Sequence, residues 1–152
     1  MSLENLRVGF GFDIHKFELG VPLILGGVRL DHEYGLVSHT DGDALCHALL
    51  DALFTACGLP DIGTHFPPSD QRLRGIASMD LLRETMLELR PTKLDQILNV
   101  TVTVITEQPK VGPYREKIIA SLATALGIDP SRIAVAAGTN ERFDAVGRGE
   151  AL

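Results

Sequence analysis

Asp13 and His15 are the first residues of this 152-residue chain whose types and spacing could do chemistry. They stand two apart in residues 6–15, where Val8, Phe10, Phe12 and Ile14 alternate with Gly9, Gly11, Asp13 and His15. A period of two predicts a strand, with Asp13 and His15 side by side on one face and Phe10 and Phe12 on a core-like opposite face. His47 lies in a stretch patterned as a helix that would face this strand. One carboxylate and two imidazoles form a common catalytic zinc set, and three protein ligands leave a fourth position for water or substrate. The spacing alone leaves other readings open. Asp13 and His15 also fit a hydrogen-bonded surface pair, and His47 a satisfied core residue.

The surroundings favour the metal. His47 is the middle of a polar stripe, Asp43, His47 and Asp51, at positions i, i+4 and i+8 of an otherwise apolar helix. Those positions share one face, and burying them is costly unless they have partners. His39 precedes the same helix, whose first N–H groups lack intrahelical partners and suit an anion. Asp41 and Asp43 stand in that first turn, so a phosphate there needs a cation nearby, which a metal supplies. Asp43 fits a plain capping role equally well.

The elements that must position these groups follow from pattern and punctuation. Residues 22–30 read as two short strands around a Gly26-Gly27 turn, and residues 31–38 as a polar connection. A helix spans about 41–57, with Thr40 as its N-cap, Asp43 completing a capping box and Gly58 as its stop. Ala44, Leu45, Ala48, Leu49, Ala52, Leu53 and Ala56 are its buried side. Residues 59–75 form a long irregular loop, of a length that is usually functional when ordered. A second helix covers 78–89, burying Met79, Leu82, Met86 and Leu89. Residues 98–106 are a strand, Glu107–Pro113 a turn, and Pro113 opens a third helix that runs to Leu126 and stops at Gly127. Residues 132–139 are the last strand. This order predicts an α/β fold of the two-layer α+β kind, a mixed β-sheet with helices packed on one face, in a single domain covering residues 1–152.

Composition narrows the function. The chain is 45% hydrophobic, enough for a sizeable core, and that core is aliphatic because Trp is absent and aromatics make up 5%. Fifteen glycines suggest tight turns or backbone passing close to a ligand. A net charge of −6 argues against nucleic acid as a partner. It is compatible with a phosphorylated small molecule, which metals and backbone N–H groups can neutralise. No apolar run is long enough for a transmembrane helix, and the N-terminus has no signal-peptide pattern. Cys46 and Cys57, the two cysteines, read as buried thiols in a reducing compartment. The expected location is cytoplasmic, with no membrane partner.

Five motifs occur in order: Gly11-Phe-Asp-Ile-His15, then Ser38-His-Thr-Asp-Gly-Asp43 with His47, then Asp61-Ile-Gly63 with Phe66-Pro67, then Gln108-Pro-Lys110, then Gly147-Arg-Gly-Glu150. Together they resemble the 2-C-methyl-D-erythritol 2,4-cyclodiphosphate synthase family of non-mevalonate isoprenoid biosynthesis, over nearly the whole chain. The resemblance implies a lyase in which a 2-phosphate attacks the β-phosphorus of a cytidine-diphosphate-linked substrate and CMP leaves. It implies zinc on Asp13, His15 and His47, with the open position for the β-phosphate. His39 and Thr40 match the contacts to the attacking phosphate, and Thr139 the residue that stabilises the transition state. Glu141 matches the holder of a second divalent ion, Mg2+ or Mn2+. Asp61, Ile62, Gly63 and Phe66 match the substrate-binding segment, with ribose contacts at Asp61 and Gly63. Lys110 belongs to the loop around cytosine and phosphates. The family is a homotrimer with sites between subunits. Phe12, Arg148 and Glu150 match positions around an axial cavity that holds an isoprenoid diphosphate in some members.

The pattern departs from the family at several places. Gly138 and Asn140 flank Thr139 where threonines are usual, Ala145 replaces an aromatic near the base pocket, Pro68 an acidic residue and Phe10 a frequent His. The sequence given stops at Leu152, where members usually continue for about one more helix. Two other functions use the same residues. One is a zinc-dependent phosphohydrolase acting through a metal-activated water, and the other a non-catalytic trimer that binds nucleotide or isoprenoid diphosphate.

Overall fold

A computed structural model describes residues 6–92, 94 and 96–152 of the chain. Its organising helix, α1 (Ala44–Cys57), starts one turn later than the Thr40 cap implies. Asp43 is the N-cap, and its carboxylate accepts from the Cys46 N–H. The Thr40 hydroxyl lies beside the His47 ring instead, so it does not cap the helix. Gly58 ends α1 in the left-handed conformation, φ 72°, which glycine adopts without a Cβ penalty.

The Gly26-Gly27 hairpin is present as β2 (Leu23–Leu25) paired antiparallel with β3 (Val28–Leu30). Both turn glycines have positive φ, and their N–H groups donate to the Asp43 carboxylate at 2.9 and 2.7 Å. Asp43 therefore joins the hairpin tip to the start of α1. A second antiparallel pair joins β1 (Phe17–Leu19) to β4 (Tyr34–Leu36). The polar connection expected over residues 31–38 thus contains a strand. A three-residue strand is too short to show periodicity, and its pairing supplies what pattern could not.

β5 (Val100–Ile105) and β6 (Ile133–Gly138) pair in parallel. A parallel pair needs a crossover, which α4 (Arg115–Leu126) provides. Among the described residues the strands form three two-stranded sheets. The architecture is mixed α and β, but the single mixed sheet of the sequence reading is divided into separate pairs. α3 (Ser78–Leu89) packs against both α1 and α4, and α4 lies on β6. The core is largely aliphatic, with Phe17 and Phe54 its buried aromatics: Leu23, Leu25, Leu30, Leu36, Leu50, Leu81, Leu82, Ile118 and Leu122 are almost fully buried. Each such leucine contributes roughly 2 kcal/mol of burial.

Residues 6–15 keep the predicted alternation but reverse its sense. Val8, Phe10, Phe12 and Ile14 are 86, 79, 69 and 49% exposed, whereas Gly9, Gly11, Asp13 and His15 are half-buried. The glycine face lies on α1, where a Cβ on Gly9 or Gly11 would come within 1.8 Å of the carbonyl oxygens of Ala52 and Ala48. Ala48, Ala52 and Ala56 are accordingly half-buried under this segment. Residues 6–14 have no strand partner among the described residues and are not a strand. Pairing begins further on: His15 exchanges two 3.0 Å backbone hydrogen bonds with Leu152, and Phe17 donates to the Glu150 carbonyl.

Candidate metal centre and substrate site

The triad is assembled from two elements. The backbone contact of Gly9 and Gly11 with α1 sets the height of residues 13–15 above the helix. The bonds of His15 to Leu152 fix the end of that segment. His47 is presented from the second turn of α1, and its N–H donates to the Asp43 carbonyl at 3.0 Å. Asp13, His15 and His47 each offer one ligand atom within 4.8 Å of the others. The donor set is two imidazole nitrogens and one carboxylate oxygen, which suits a divalent ion of the zinc type.

The electrostatics suit a cation-binding site. Burial by itself would raise the Asp13 carboxyl. Hydrogen bonds and charge from His15 and His47 outweigh it and hold the group well below the usual carboxylate range. His15 is raised, chiefly by its 2.7 Å hydrogen bond with Asp13. Its other nitrogen, Nδ1, lies 2.7 Å from the Val37 carbonyl. A carbonyl can only accept, so Nδ1 carries a proton and Nε2 faces Asp13 and His47. The His47 Nδ1 atom lies 3.1 Å from Asp13 Oδ2 and 3.2 Å from His15 Nε2.

The polar stripe of α1 separates into three tasks. Asp43 is fully buried and holds the hairpin; burial pushes its carboxyl up to about 6, against N–H donors from Cys46, Gly27 and Gly26. His47 joins the triad. Asp51 accepts from the Ile62 N–H at 2.7 Å and so anchors α2 (Ile62–His65). This short helix and a following 3-10 turn, Gln71–Leu73, lie inside the loop predicted over residues 59–75. Asp61 caps α2 by accepting from the Thr64 N–H at 2.8 Å. Gly63 is exposed, and Ile62 and Phe66 pack against the core. Phe66 lies near Phe54, with ring centroids 6.2 Å apart.

His39 is exposed and lines a cleft of about 370 Å³ with Ser38, Pro68, Asp70, Gln71 and Arg74. Thr40 connects it to the triad, since the Thr40 Oγ1 atom is 2.9 Å from His47 Nε2. Thr139, Glu141 and Lys110 form a second group. The Thr139 hydroxyl donates to Glu141 Oε1 at 3.0 Å. Glu141, Arg142 and Asp144 all have positive φ. The Arg142 N–H donates to Glu107 Oε1 at 3.2 Å, and Lys110 Nζ to the Glu107 carbonyl at 3.4 Å. This turn and the loop carrying Lys110 are therefore tied together. Among the described residues no hydrogen bond or ion pair joins the second group to the triad. Arg148 forms an exposed ion pair with Glu150 at 2.8 Å.

The sequence reading missed two partners of the triad, the Val37 carbonyl and Ser78, and the Asp41 carboxylate to which Ser78 donates. Ser78 is fully buried at the start of α3. Its only sequence signal is a hydroxyl at a helix start, which resembles any cap. Cys46 is buried as expected, while Cys57 is only partly so.

Residues 6–152 match the model of the YgbB family. A 2-C-methyl-D-erythritol 2,4-cyclodiphosphate synthase from Laribacter hongkongensis (strain HLHK9) is 47% identical over 148 residues, 97% of this chain and 91% of that protein. Among solved structures, the bifunctional IspDF from Campylobacter jejuni superposes with a TM-score of 0.89 at 35% identity, covering 95% of this chain and 39% of that one. IspF from Plasmodium falciparum, in a CDP complex, superposes with a TM-score of 0.81 at 36% identity, covering 95% of this chain and 88% of that one.

Proposed function

This chain belongs to the YgbB family, and on that premise we infer the reaction its site performs. It is a lyase that converts 4-diphosphocytidyl-2-C-methyl-D-erythritol 2-phosphate to 2-C-methyl-D-erythritol 2,4-cyclodiphosphate with release of CMP, in non-mevalonate isoprenoid biosynthesis. A 2-phosphate oxygen bonds to the β-phosphorus. The bond from that phosphorus to the bridging oxygen breaks, and the oxygen departs with CMP. The observation that carries the reading is the convergence of Asp13, His15 and His47 beside Thr40 and the His39 cleft.

Zinc is the ion proposed for the triad, and bound there it would supply positive charge to the β-phosphate. His39 and Thr40 orient the attacking phosphate. Their place at the cleft and against His47 supports this. Asp61, Ile62, Gly63 and Phe66 form one wall of the nucleotide site, with ribose contacts at Asp61 and Gly63. Lys110 contributes charge from the loop around cytosine and phosphates. Thr139 stabilises the transition state, and Glu141, held by the Thr139 hydroxyl, takes a second divalent ion, Mg2+ or Mn2+. Such chemistry depends mainly on positioning and charge neutralisation.

The working unit proposed is a homotrimer of single domains, located in the cytoplasm. The exposed side chains of Val8, Phe10, Phe12 and Ile14 support assembly, because an unpartnered apolar row of this kind marks an interaction face. Arg148, Glu150 and Phe12 are proposed to line an axial cavity that can take an isoprenoid diphosphate. CMP release from the cytidyl substrate by the zinc- and magnesium-loaded chain tests the function. Asp13→Ala should remove both CMP release and the one bound zinc per chain. Unchanged zinc content in that variant would refute the triad assignment.

A further inference from the structure

His47 has a second set of contacts, on the side of its ring away from Asp13 and His15. Its Nε2 atom is 3.0 Å from Ser78 Oγ and 2.9 Å from Thr40 Oγ1. The Ser78 hydroxyl in turn donates to Asp41 Oδ1 at 2.6 Å, a length typical of a charge-assisted bond. Ser78 is fully buried, and His47 nearly so.

A serine hydroxyl has one proton and two acceptor lone pairs, and an ionised carboxylate can only accept. With that proton directed at Asp41, Ser78 can only accept from His47. A proton on His47 Nε2 is then the one that satisfies Ser78, and it stays there when a metal takes Nδ1; in the metal-free chain the Asp13 carboxylate, also an acceptor, competes for it from the Nδ1 side. Nδ1 is the nitrogen directed at Asp13 Oδ2 and His15 Nε2. Without Asp41 the Ser78 hydroxyl could turn and donate to Nε2. The ring proton would then move to Nδ1, where it occupies the lone pair a metal needs. Thr40 cannot set the tautomer alone, because its hydroxyl has no carboxylate partner; its other neighbours are Ser38 Oγ at 3.2 Å, the Gly42 N–H at 3.3 Å and Ser78 Oγ, which at 3.3 Å lies further from it than from Asp41.

We propose that Ser78 is a positioning residue whose hydroxyl, oriented by Asp41, holds His47 as the Nε2–H tautomer and so presents Nδ1 as the ligand atom. The chain Asp41–Ser78–His47 does for His47 what the Val37 carbonyl does for His15, so each imidazole of the triad has an acceptor behind it. This rests on the metal reading of the triad. It reaches beyond the ligands to the residues that decide which nitrogen they offer.

Long-range proton–nitrogen NMR of the zinc-loaded full chain reads which His47 nitrogen keeps its proton. Competition with a chromophoric chelator reads zinc affinity, and zinc content of the unsubstituted chain tests the metal reading separately. The unsubstituted chain should show His47 as Nε2–H. Asp41→Ala and Ser78→Ala should each weaken zinc by about tenfold, the lower end of what such outer partners contribute. A packing role for Ser78 would lower the melting temperature without moving zinc affinity. An Nδ1–H tautomer in the unsubstituted chain overturns the proposal. So do Asp41→Ala and Ser78→Ala proteins that stay folded with zinc affinity within twofold.

Discussion

The Asp51 carboxylate accepts the Ile62 N–H at 2.7 Å, tying the third turn of α1 to the segment that carries Asp61 and Gly63. One helix thus presents His47 to the triad and Asp51 to the segment proposed as the nucleotide wall, four residues apart on the same face. Asp51→Ala frees the loop and leaves the Ile62 N–H without its partner. Losing such a charged acceptor costs about 1–3 kcal/mol. The expected result is a KM for the cytidyl substrate raised about tenfold or more, with zinc content unchanged. Asp51→Asn, which keeps an acceptor oxygen, should recover most of the loss. Steady-state kinetics beside metal analysis separates the two effects.

Gly11, with Gly9, is where residues 9–15 rest on α1. A Cβ there would lie 1.8 Å from the Ala48 carbonyl oxygen and 2.7 Å from the Ala52 nitrogen, both backbone atoms that cannot swing away. Gly11→Ala must lift the segment and displace Asp13 and His15 from His47. Overpacking of this kind costs about 3 kcal/mol. Urea unfolding should show the loss, and zinc affinity should fall at least about tenfold. Gly112→Ala is the control: its φ is not positive and a Cβ there meets nothing within 4 Å, so zinc affinity should stay within about twofold.

Protonation acts on the triad in opposite directions with and without metal. Asp13 is held below its ordinary value of 3.8, so its contribution to stability is present above that value and is lost as pH falls through the lower folded value. His15 is raised above 6.5, so its contribution is present below that value and is lost as pH rises through the higher folded value. In the metal-free chain both are present between 3.8 and 6.5. The stability difference between the unsubstituted chain and His15→Gln, measured in urea with excess chelator, should be larger near about pH 5 than near about pH 9. Zinc must displace the His15 proton, so its affinity should fall by about tenfold per pH unit below that folded value.

The exposed row Val8, Phe10, Phe12 and Ile14 gives the assembly its test. Sedimentation of the full chain should show a trimer. Phe10→Asp together with Val8→Asp should convert it to monomer, because charge placed on an apolar interface is costly to bury. A trimer unchanged by both substitutions would place the interface elsewhere.

Most long elements were legible because their burial follows one period. α3, α4, β5 and β6 lie within two residues of their expected limits. The Gly26-Gly27 hairpin was legible from turn chemistry. Three features were hidden for separate reasons. Alternation over residues 6–15 was real, but period two does not say which face is buried, and here glycines face the helix. The Asp43 cap was assigned to Thr40 because capping residues cluster at residues 38–43, and only geometry decides among them. Asp41 and Ser78 stand 37 residues apart, so no local spacing could reveal their hydrogen bond or its effect on His47. The ligand triad itself was legible, since Asp13 and His15 share a face at spacing two and His47 lies on a polar helix stripe.

The most direct measurement follows the cytidyl substrate by phosphorus NMR in 18O-labelled water, with the zinc- and magnesium-loaded full chain. Intramolecular attack on the β-phosphorus gives a cyclic diphosphate and CMP with no label in either. That product pattern is the expected result. An acyclic phosphate carrying 18O would mean that water is the nucleophile, and the same three ligands would then belong to a hydrolase.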